Sequence, residues 1–221
     1  MSRILAIGDI HGCASLLDAL LDDLAPAAED TVVVLGDYVD RGPQSKQVIE
    51  RLIRLQTECR LITLQGNHEE MFAAVLNKRW LPRIWLDMGG QATVDSYGDL
   101  EHVPAEHVKF LISGRSFFER ETEIFVHANL ETQLSLLNQN GEYLRWKHLG
   151  GSERPHISGK RVICGHTPQR DGMPLVFDGW VCLDTDAVDG GWLSGLNVGT
   201  NVLHQVRADG ERRRLDLGRS A

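Results

Sequence analysis

The sequence predicts an α/β fold with parallel βαβ units at the start and a second sheet later in the chain. Two features predict it. Short apolar runs alternate with helical stripes over the first third of the sequence, and from Glu123 onward strand-like runs dominate. Parallel strands need a crossover connection, so the alternation reads as right-handed βαβ units.

Residues 4–7 read as a buried strand. Residues 13–24 place Leu16, Leu17, Leu20, Leu21 and Leu24 on one face, the spacing of a helix packed on a sheet. Residues 31–35, rich in valine, give a second strand, and 45–55 a second helix with Val48, Ile49, Leu52 and Ile53 on its stripe. Residues 60–65 give a third strand, and 69–76 begin a third helix with Met71, Phe72 and Val75. Residues 80–120 hold Trp80, Trp85 and Gly89-Gly90 without a clean period, and a cap-like excursion over the core is expected there. Residues 124–126, 161–164, 181–183 and 201–206 are expected strands, assigned to a second sheet. The charged tail 209–221, with Arg212-Arg213-Arg214, reads as an end strand or solvated terminus rather than a nucleic-acid patch. With no repeat, low-complexity tract or linker, a single domain over 1–221 is expected.

A chain of 221 residues can bury a sizeable core. Its 23 Lys and Arg against 31 Asp and Glu give a formal charge of −8, which argues against generic binding to nucleic acid or an anionic membrane. Cys13, Cys59, Cys164 and Cys182 form no Cys-x-x-Cys pair and read as free thiols in a reducing compartment. The apolar run before Gly8 is too short for a secretory signal, and no stretch is long enough to span a bilayer. A cytoplasmic protein is expected.

The chemistry lies just after the apolar runs: Gly8-Asp9-Ile10-His11-Gly12, Gly36-Asp37-Tyr38-Val39-Asp40-Arg41-Gly42, Gly66-Asn67-His68-Glu69, His127-Ala128-Asn129 and Gly165-His166-Thr167. In open α/β sheets ligands gather at the carboxyl ends of strands. Asp9 and His11, two apart in an extended segment, can reach one ion. Asp37 can be shared between two ions, because a carboxylate offers several lone pairs. Asn67 offers a carboxamide oxygen, and His127 and His166 offer imidazole nitrogens. A lone Gly-Asp is more often a turn, and His102, His107, His156 and His204 read as ordinary hydrogen-bonded histidines. Five such sites at strand ends are too many for coincident turns. Mixed nitrogen and oxygen ligands favour Mn2+, Fe2+ or Zn2+ over Ca2+.

The same inventory suits water-driven cleavage of a phosphate ester. Arg41 can grip phosphate oxygens bidentately. Asp40 can orient His68 and keep it protonated as general acid for the leaving alkoxide. A metal-bridging hydroxide, formed from water whose pKa is lowered to about 7, is then the attacking group, with no covalent intermediate.

Gly-Asp-x-His-Gly, Gly-Asp-x-Val-Asp-Arg-Gly and Gly-Asn-His-Glu, in that order, resemble the metal-dependent phosphoprotein phosphatase family. In size the chain is most similar to its bacterial and phage branch, exemplified by the bacteriophage lambda serine/threonine phosphatase. The resemblance runs from Met1 to about Leu196 and takes in Gly89-Gly90 to Ser96-Tyr97-Gly98. It implies a calcineurin-like metallophosphoesterase fold, two mixed β-sheets sandwiched between helices with the metals at one edge. It implies Asp9, His11, Asp37, Asn67, His127 and His166 as ligands of two divalent ions, expected to be Mn2+ with Fe2+ or Zn2+ as alternatives. It also implies Asp40 and His68 as the catalytic pair and Arg41 as a phosphate arginine.

Three departures stand out. The branch usually carries a second phosphate arginine as Trp-x-Arg, but here Trp146 is followed by Lys147 and His148. His148 is taken as the phosphate-binding replacement, with Lys147 and Arg145 as alternatives. Asn129 stands where glycine or alanine is usual. In Asp184-Thr185-Asp186-Ala187, Asp186 replaces the usual glycine; its carboxylate either disfavours some anionic substrates or lies outside the pocket.

A hydrolase of phosphoric monoesters is expected, foremost a protein serine/threonine phosphatase, with phosphotyrosine as a further candidate substrate and phosphorylated protein or peptide as its partner. A sister group hydrolyses diadenosine tetraphosphate and usually has Val-Ala-Arg-Gly and Asn-His-Asp. This chain has Val39-Asp40-Arg41-Gly42 and Asn67-His68-Glu69. Dinucleoside polyphosphate hydrolysis is the alternative, followed by RNA-end or nucleotide phosphomonoesters and a phosphate-sensing module without turnover. Retention of every ligand, Asp40 and His68 opposes the last of these, and the altered Trp146 segment weakly favours it. Specificity is expected to reside in residues 80–120.

Overall fold

The apolar run at Leu5-Ala6-Ile7 sets the architecture, because its side chains alternate between two cores. In the computed structural model, which describes residues 2–218, Leu5 and Ile7 face helices while Ala6 faces a second sheet. The strands are β1 (Ile4–Ile7), β2 (Thr31–Val34), β3 (Arg60–Thr63), β4 (Phe117–Glu119), β5 (Glu123–Val126), β6 (Arg161–Cys164), β7 (Leu175–Phe177), β8 (Trp180–Cys182), β9 (Leu193–Asn197), β10 (Val202–Val206) and β11 (Arg212–Asp216). The helices are α1 (Ala14–Leu24), α2 (Ser45–Glu58), α3 (Asn67–Leu76), α4 (Pro82–Trp85), α5 (Gln91–Tyr97), α6 (Ala105–Ile112) and α7 (Gly141–Trp146).

Two mixed sheets result. The first runs β11-β10-β9-β1-β2-β3, with β1, β2 and β3 parallel and the other three antiparallel. The second runs β4-β5-β6-β8-β7, with β5, β6 and β8 parallel. The stripe Leu16, Leu17, Leu20, Leu21 and Leu24 of α1 buries against the first sheet, as do Val48, Ile49 and Leu52 of α2. Ala6, Val33, Phe125, Ile163, Val181 and Leu203 fill the space between the sheets. Outside the second sheet, Leu130, Leu136, Leu144 and Leu149 cover Ile124, Val162 and Trp180. Each fully buried aliphatic side chain contributes roughly 1.5–3 kcal/mol before conformational entropy is subtracted.

The expected strands all form, but not all in the expected sheet. The strand at 201–206 does not join the second sheet; β9, β10 and β11 return to the open edge of β1. The sequence hides β9, Leu193-Ser194-Gly195-Leu196-Asn197, because a glycine interrupts it. Gly195 is needed there: a Cβ would meet Leu24 at 2.9 Å, where α1 crosses the strand. In the tail, Arg213 lies 4.1 Å over the Trp192 ring and donates to Gln205, so the arginine run is tied into the sheet. Residues 219–221 of that tail lie outside the described residues.

Residues 80–120 form α4, a π-turn at Leu86–Gly90, α5 and α6. Only α6 is long enough to show a period, with His107, Phe110 and Leu111 buried at i, i+3 and i+4; α4 and α5 are too short. The inner side of this segment is core: Trp85, Phe110 and Leu111 are buried, and Trp85 stacks on Phe72 of α3 with centroids 5.0 Å apart. No helix among the described residues is long and apolar enough to cross a membrane.

Candidate metal centre and active site

The strand ends of both sheets open onto one edge. Asp9 and His11 follow β1, Asp37 follows β2, and Asn67 and His68 open α3 after β3. His127 follows β5 and His166 follows β6, so the second sheet completes a site begun by the first. Of the nine non-glycine residues with positive φ among the described residues, five are expected site residues: His11, Asp37, Asp40, Arg41 and His166. Such conformations cost of order 1–3 kcal/mol each and persist only where surroundings enforce them.

The hydrogen bonds fix three imidazole tautomers. His11 Nδ1 lies 3.0 Å from the Val39 carbonyl, His127 Nδ1 2.9 Å from the Leu35 carbonyl, and His166 Nε2 3.1 Å from the Trp146 carbonyl. A carbonyl only accepts, so each of these nitrogens carries a proton and the other offers its lone pair to the site. Burial pushes both His11 and His166 down to about 3, keeping them neutral. His127 Nε2 then stands 3.2 Å from His166 Nδ1, 3.2 Å from Asn67 Oδ1 and 3.4 Å from Asp37 Oδ1. Four electron-pair donors meet here. An Asn67 amide turned the other way would donate to all of them; with its carbonyl inward, a cation must neutralise the cluster. Burial alone would lower His127, yet Asp37 outweighs it and raises the value, a second sign that this spot attracts positive charge.

Asp37 belongs to two groups of potential ligands, one with His11 and His68 and one with His127 and His166. It is therefore placed to bridge two ions. Asp9 lines the same pocket as His11 and Asp37 and accepts from the His166 N–H at 3.0 Å. Burial, then Asp184 and Asp37, drive its carboxyl well above the usual range. Burial also pushes Asp184, in the pocket wall, up to about 6. Nearby positive charge would relieve both. The residues present fit divalent cations, and their mixed nitrogen and oxygen donors suit first-row ions.

Below the candidate ligands lies a rigid support that the Gly-Asn-His-Glu motif alone does not reveal. Glu69 accepts from the N–H groups of Asp37 (2.8 Å), Tyr38 (2.9 Å), Val39 (3.3 Å) and Gly66 (2.8 Å), tying the β2 and β3 loops together. Gly66 has to be glycine, since a Cβ there would run into Asp37 Oδ1. Asp40 is fully buried and accepts from His68 Nδ1 (2.9 Å), Trp85 Nε1 (2.7 Å) and Thr93 Oγ1 (2.6 Å). Burial would lower the His68 imidazole, but Asp37 and Asp40 outweigh it and raise it. Its Nε2 is buried without a partner among the described residues. Trp85 and Thr93 come from the aperiodic segment, and only the Gly-Gly and tryptophan signals there hinted at them.

At the mouth of the pocket, a 150 Å³ cavity, stand Arg41 and His148 together with Met88 and Trp146. The Arg41 N–H donates to Gly89 O at 3.0 Å, pinning the arginine loop to the π-turn. His148 stacks on His166 with centroids 4.4 Å apart. Of the other candidates for the missing arginine, Arg145 is committed to Glu70 at 2.8 Å and Lys147 does not line the cavity. Asn129 Nδ2 donates to His148 O and to Glu153, both at 3.3 Å, so two departures from the family pattern support each other. Asp186 does not line the pocket; it adopts φ 62°, the conformation its usual glycine would favour, with Arg170 4.0 Å away. His102, His107, His156 and His204 are hydrogen-bonded elsewhere.

Two layered mixed sheets with a cation-seeking cluster at their common edge define a metallophosphoesterase. The chain belongs to the calcineurin-like phosphoesterase family, whose model matches residues 2–184. It is similar to the asymmetrical bis(5'-nucleosyl)-tetraphosphatase PrpE of Anoxybacillus flavithermus, 26% identical over 221 aligned residues that cover 86% of this chain and 88% of that protein. It also matches a symmetrical bis(5'-nucleosyl)-tetraphosphatase of Paracidovorax citrulli, 49% identical over 65 residues, 28% of this chain and 22% of that protein. The chain thus spans about a fifth of that relative's length. Among solved structures, a cold-active protein tyrosine phosphatase superposes with a TM-score of 0.69 at 19% identity, covering 97% of this chain and 79% of that one.

Divalent ions should stabilise the fold, because they replace repulsion between buried acceptors. Mn2+ at a hundred times its Kd is expected to add about 2.7 kcal/mol, read as a higher Tm than in EDTA. An unchanged Tm would mean that these acceptors do not hold ions.

Proposed function

We propose that this hydrolase is a phosphoprotein phosphatase, acting on phosphoserine and phosphothreonine and also on phosphotyrosine, with two divalent ions, Mn2+ in the first instance. The size of the pocket carries the reading. At 150 Å³ it lies well below the roughly 300–1,000 Å³ of sites that enclose small-molecule ligands. A phosphoryl group fits inside it, and the rest of the substrate lies on the protein surface, as a polypeptide would. The motif differences from the diadenosine tetraphosphate group, Asp40 and Glu69, support the same reading.

Asp9, His11 and Asp37 would hold one ion, and Asp37, Asn67, His127 and His166 the other. When bound, such ions neutralise the phosphoryl charge and supply an activated water at neutral pH. The protein's own residues do the rest. Arg41 grips phosphoryl oxygens bidentately, with His148 opposite as the second donor. His68 Nε2 gives its proton to the leaving alkoxide, while Asp40, itself held by Trp85 and Thr93, fixes the ring and keeps it protonated.

A second reading has its own support. The full-length likeness to a bis(5'-nucleosyl)-tetraphosphatase favours hydrolysis of dinucleoside polyphosphates at the same centre.

Comparing kcat/KM in Mn2+ for a phosphothreonine peptide and diadenosine tetraphosphate separates the two. The peptide is expected to be preferred; preference for the dinucleotide would reverse the assignment. His68→Asn is expected to reduce turnover on the order of 10²–10⁴-fold with metal content, measured by elemental analysis, unchanged. Full turnover in that variant would remove His68 from the reaction.

A further inference from the structure

The outer face of the aperiodic segment is as unusual as its inner face. Residues 77–84 are exposed without interruption. Leu81 is 83% exposed and Ile84 63%, and Met88 is also exposed. Leu81 caps α4, Ile84 lies within it next to the buried Trp85, and Met88 lies in the following π-turn. Single exposed apolar residues need no explanation, but a continuous run beside a pocket does. Lys78, Arg79 and Arg83 stand among them, and none forms an ion pair among the described residues. Three unpaired cations on a chain of net charge −8 form a local field of the opposite sign.

This face meets the catalytic pocket at Met88 and comes within one hydrogen bond of it at Glu70. Met88 is part of the pocket wall. Arg79 and Trp80 line a 440 Å³ cleft together with Glu70, and Glu70 accepts from Trp146 Nε1 at 2.7 Å, the same Trp146 that lines the pocket. A substrate whose phosphoryl group sits below Arg41 therefore has its neighbouring atoms at the edge of a basic, apolar surface.

We infer that this face is a substrate-docking subsite for the segment of a phosphorylated polypeptide next to its phosphorylated residue, a segment bearing large apolar and acidic side chains. The inference rests on the phosphatase reading above and gives it a sequence preference. Leu81, Ile84 and Met88 match large apolar side chains, and the exposed Trp80 ring extends the same apolar surface. The cations match carboxylates, which the acidic remainder of the protein would otherwise repel.

The test compares three phosphothreonine peptides, flanked by Leu and Glu, by Gly and Ser, or by Lys. It uses the wild type, Arg79→Glu/Arg83→Glu and Ile84→Ser, with p-nitrophenyl phosphate as a substrate that has no residues flanking its phosphoryl ester. Binding of the matching non-hydrolysable phosphonate peptides is read in parallel by fluorescence anisotropy. The wild type is expected to favour the Leu/Glu peptide roughly tenfold, a difference of about 1.4 kcal/mol, in both Kd and kcat/KM. The double charge reversal should shift preference to the Lys peptide and Ile84→Ser should weaken it, while p-nitrophenyl phosphate turnover stays constant. Equal use of the peptides by the wild type, retained preference in the variants, or a parallel loss on p-nitrophenyl phosphate would each overturn the subsite. Hydrolysis of diadenosine tetraphosphate but of no peptide would instead overturn the phosphatase reading, and a dinucleotide rate that falls in the charge-reversed variant would give the face to a nucleotide.

Discussion

Four backbone N–H groups converge on the carboxylate of Glu69, and the metal centre is shaped by that convergence. One oxygen takes Asp37 and Gly66, the other Tyr38 and Val39. The loop after β2 and the start of α3 are thereby locked to each other, which sets Asp37 beside Asn67 and His68. Burial and Asp37 push the Glu69 carboxyl up to about 8, against the backbone donors that hold it down. Each such bond is worth about 0.5–1.5 kcal/mol, or about 1.5–3 kcal/mol when the acceptor is charged. Four of them are of the size needed to hold several residues in left-handed conformations at about 1–3 kcal/mol apiece. An aspartate at position 69 would be one methylene too short to keep this geometry unchanged.

The rest of the site divides between the two sheets and the segment that crosses their edge. The first sheet supplies Asp9, His11, Asp37 and Asn67, and the second supplies His127 and His166. Backbone carbonyls behind the histidines set their tautomers, so each lone pair points inward before any ion arrives. Such preorganisation spares the cost of reorganising ligands on binding. The segment after α3 adds what a metal site alone lacks. Trp85 and Thr93 fix Asp40, which fixes His68, and the Gly89 carbonyl fixes the Arg41 loop.

Most of this was legible in the sequence where a residue's place is dictated locally. The ligands stand immediately after strands, and a strand end needs only a short apolar run to be seen. The stripes of α1 and α2 were equally plain. What escaped was set by distant partners. The return of β9 to β1 depends on Gly195 accepting the leucines of α1, a contact that no local pattern announces. Trp85 reads as an unplaced aromatic until α4 brings it against Asp40. Glu69 was visible as a motif letter, but its task lies in main-chain donors of another loop. Cys164 and Cys182, far apart in the chain, are register partners on β6 and β8 and remain free thiols.

Isothermal titration of Mn2+ into the wild type and Glu69→Gln tests the dependence on Glu69 most directly. The glutamine keeps the length but turns an amide donor towards backbone N–H groups. Two sites are expected in the wild type, and an affinity roughly 10–100-fold weaker in the variant, as for loss of a supporting partner behind metal ligands. Identical stoichiometry and affinity in the two proteins would show that the loops hold their ligand geometry without Glu69.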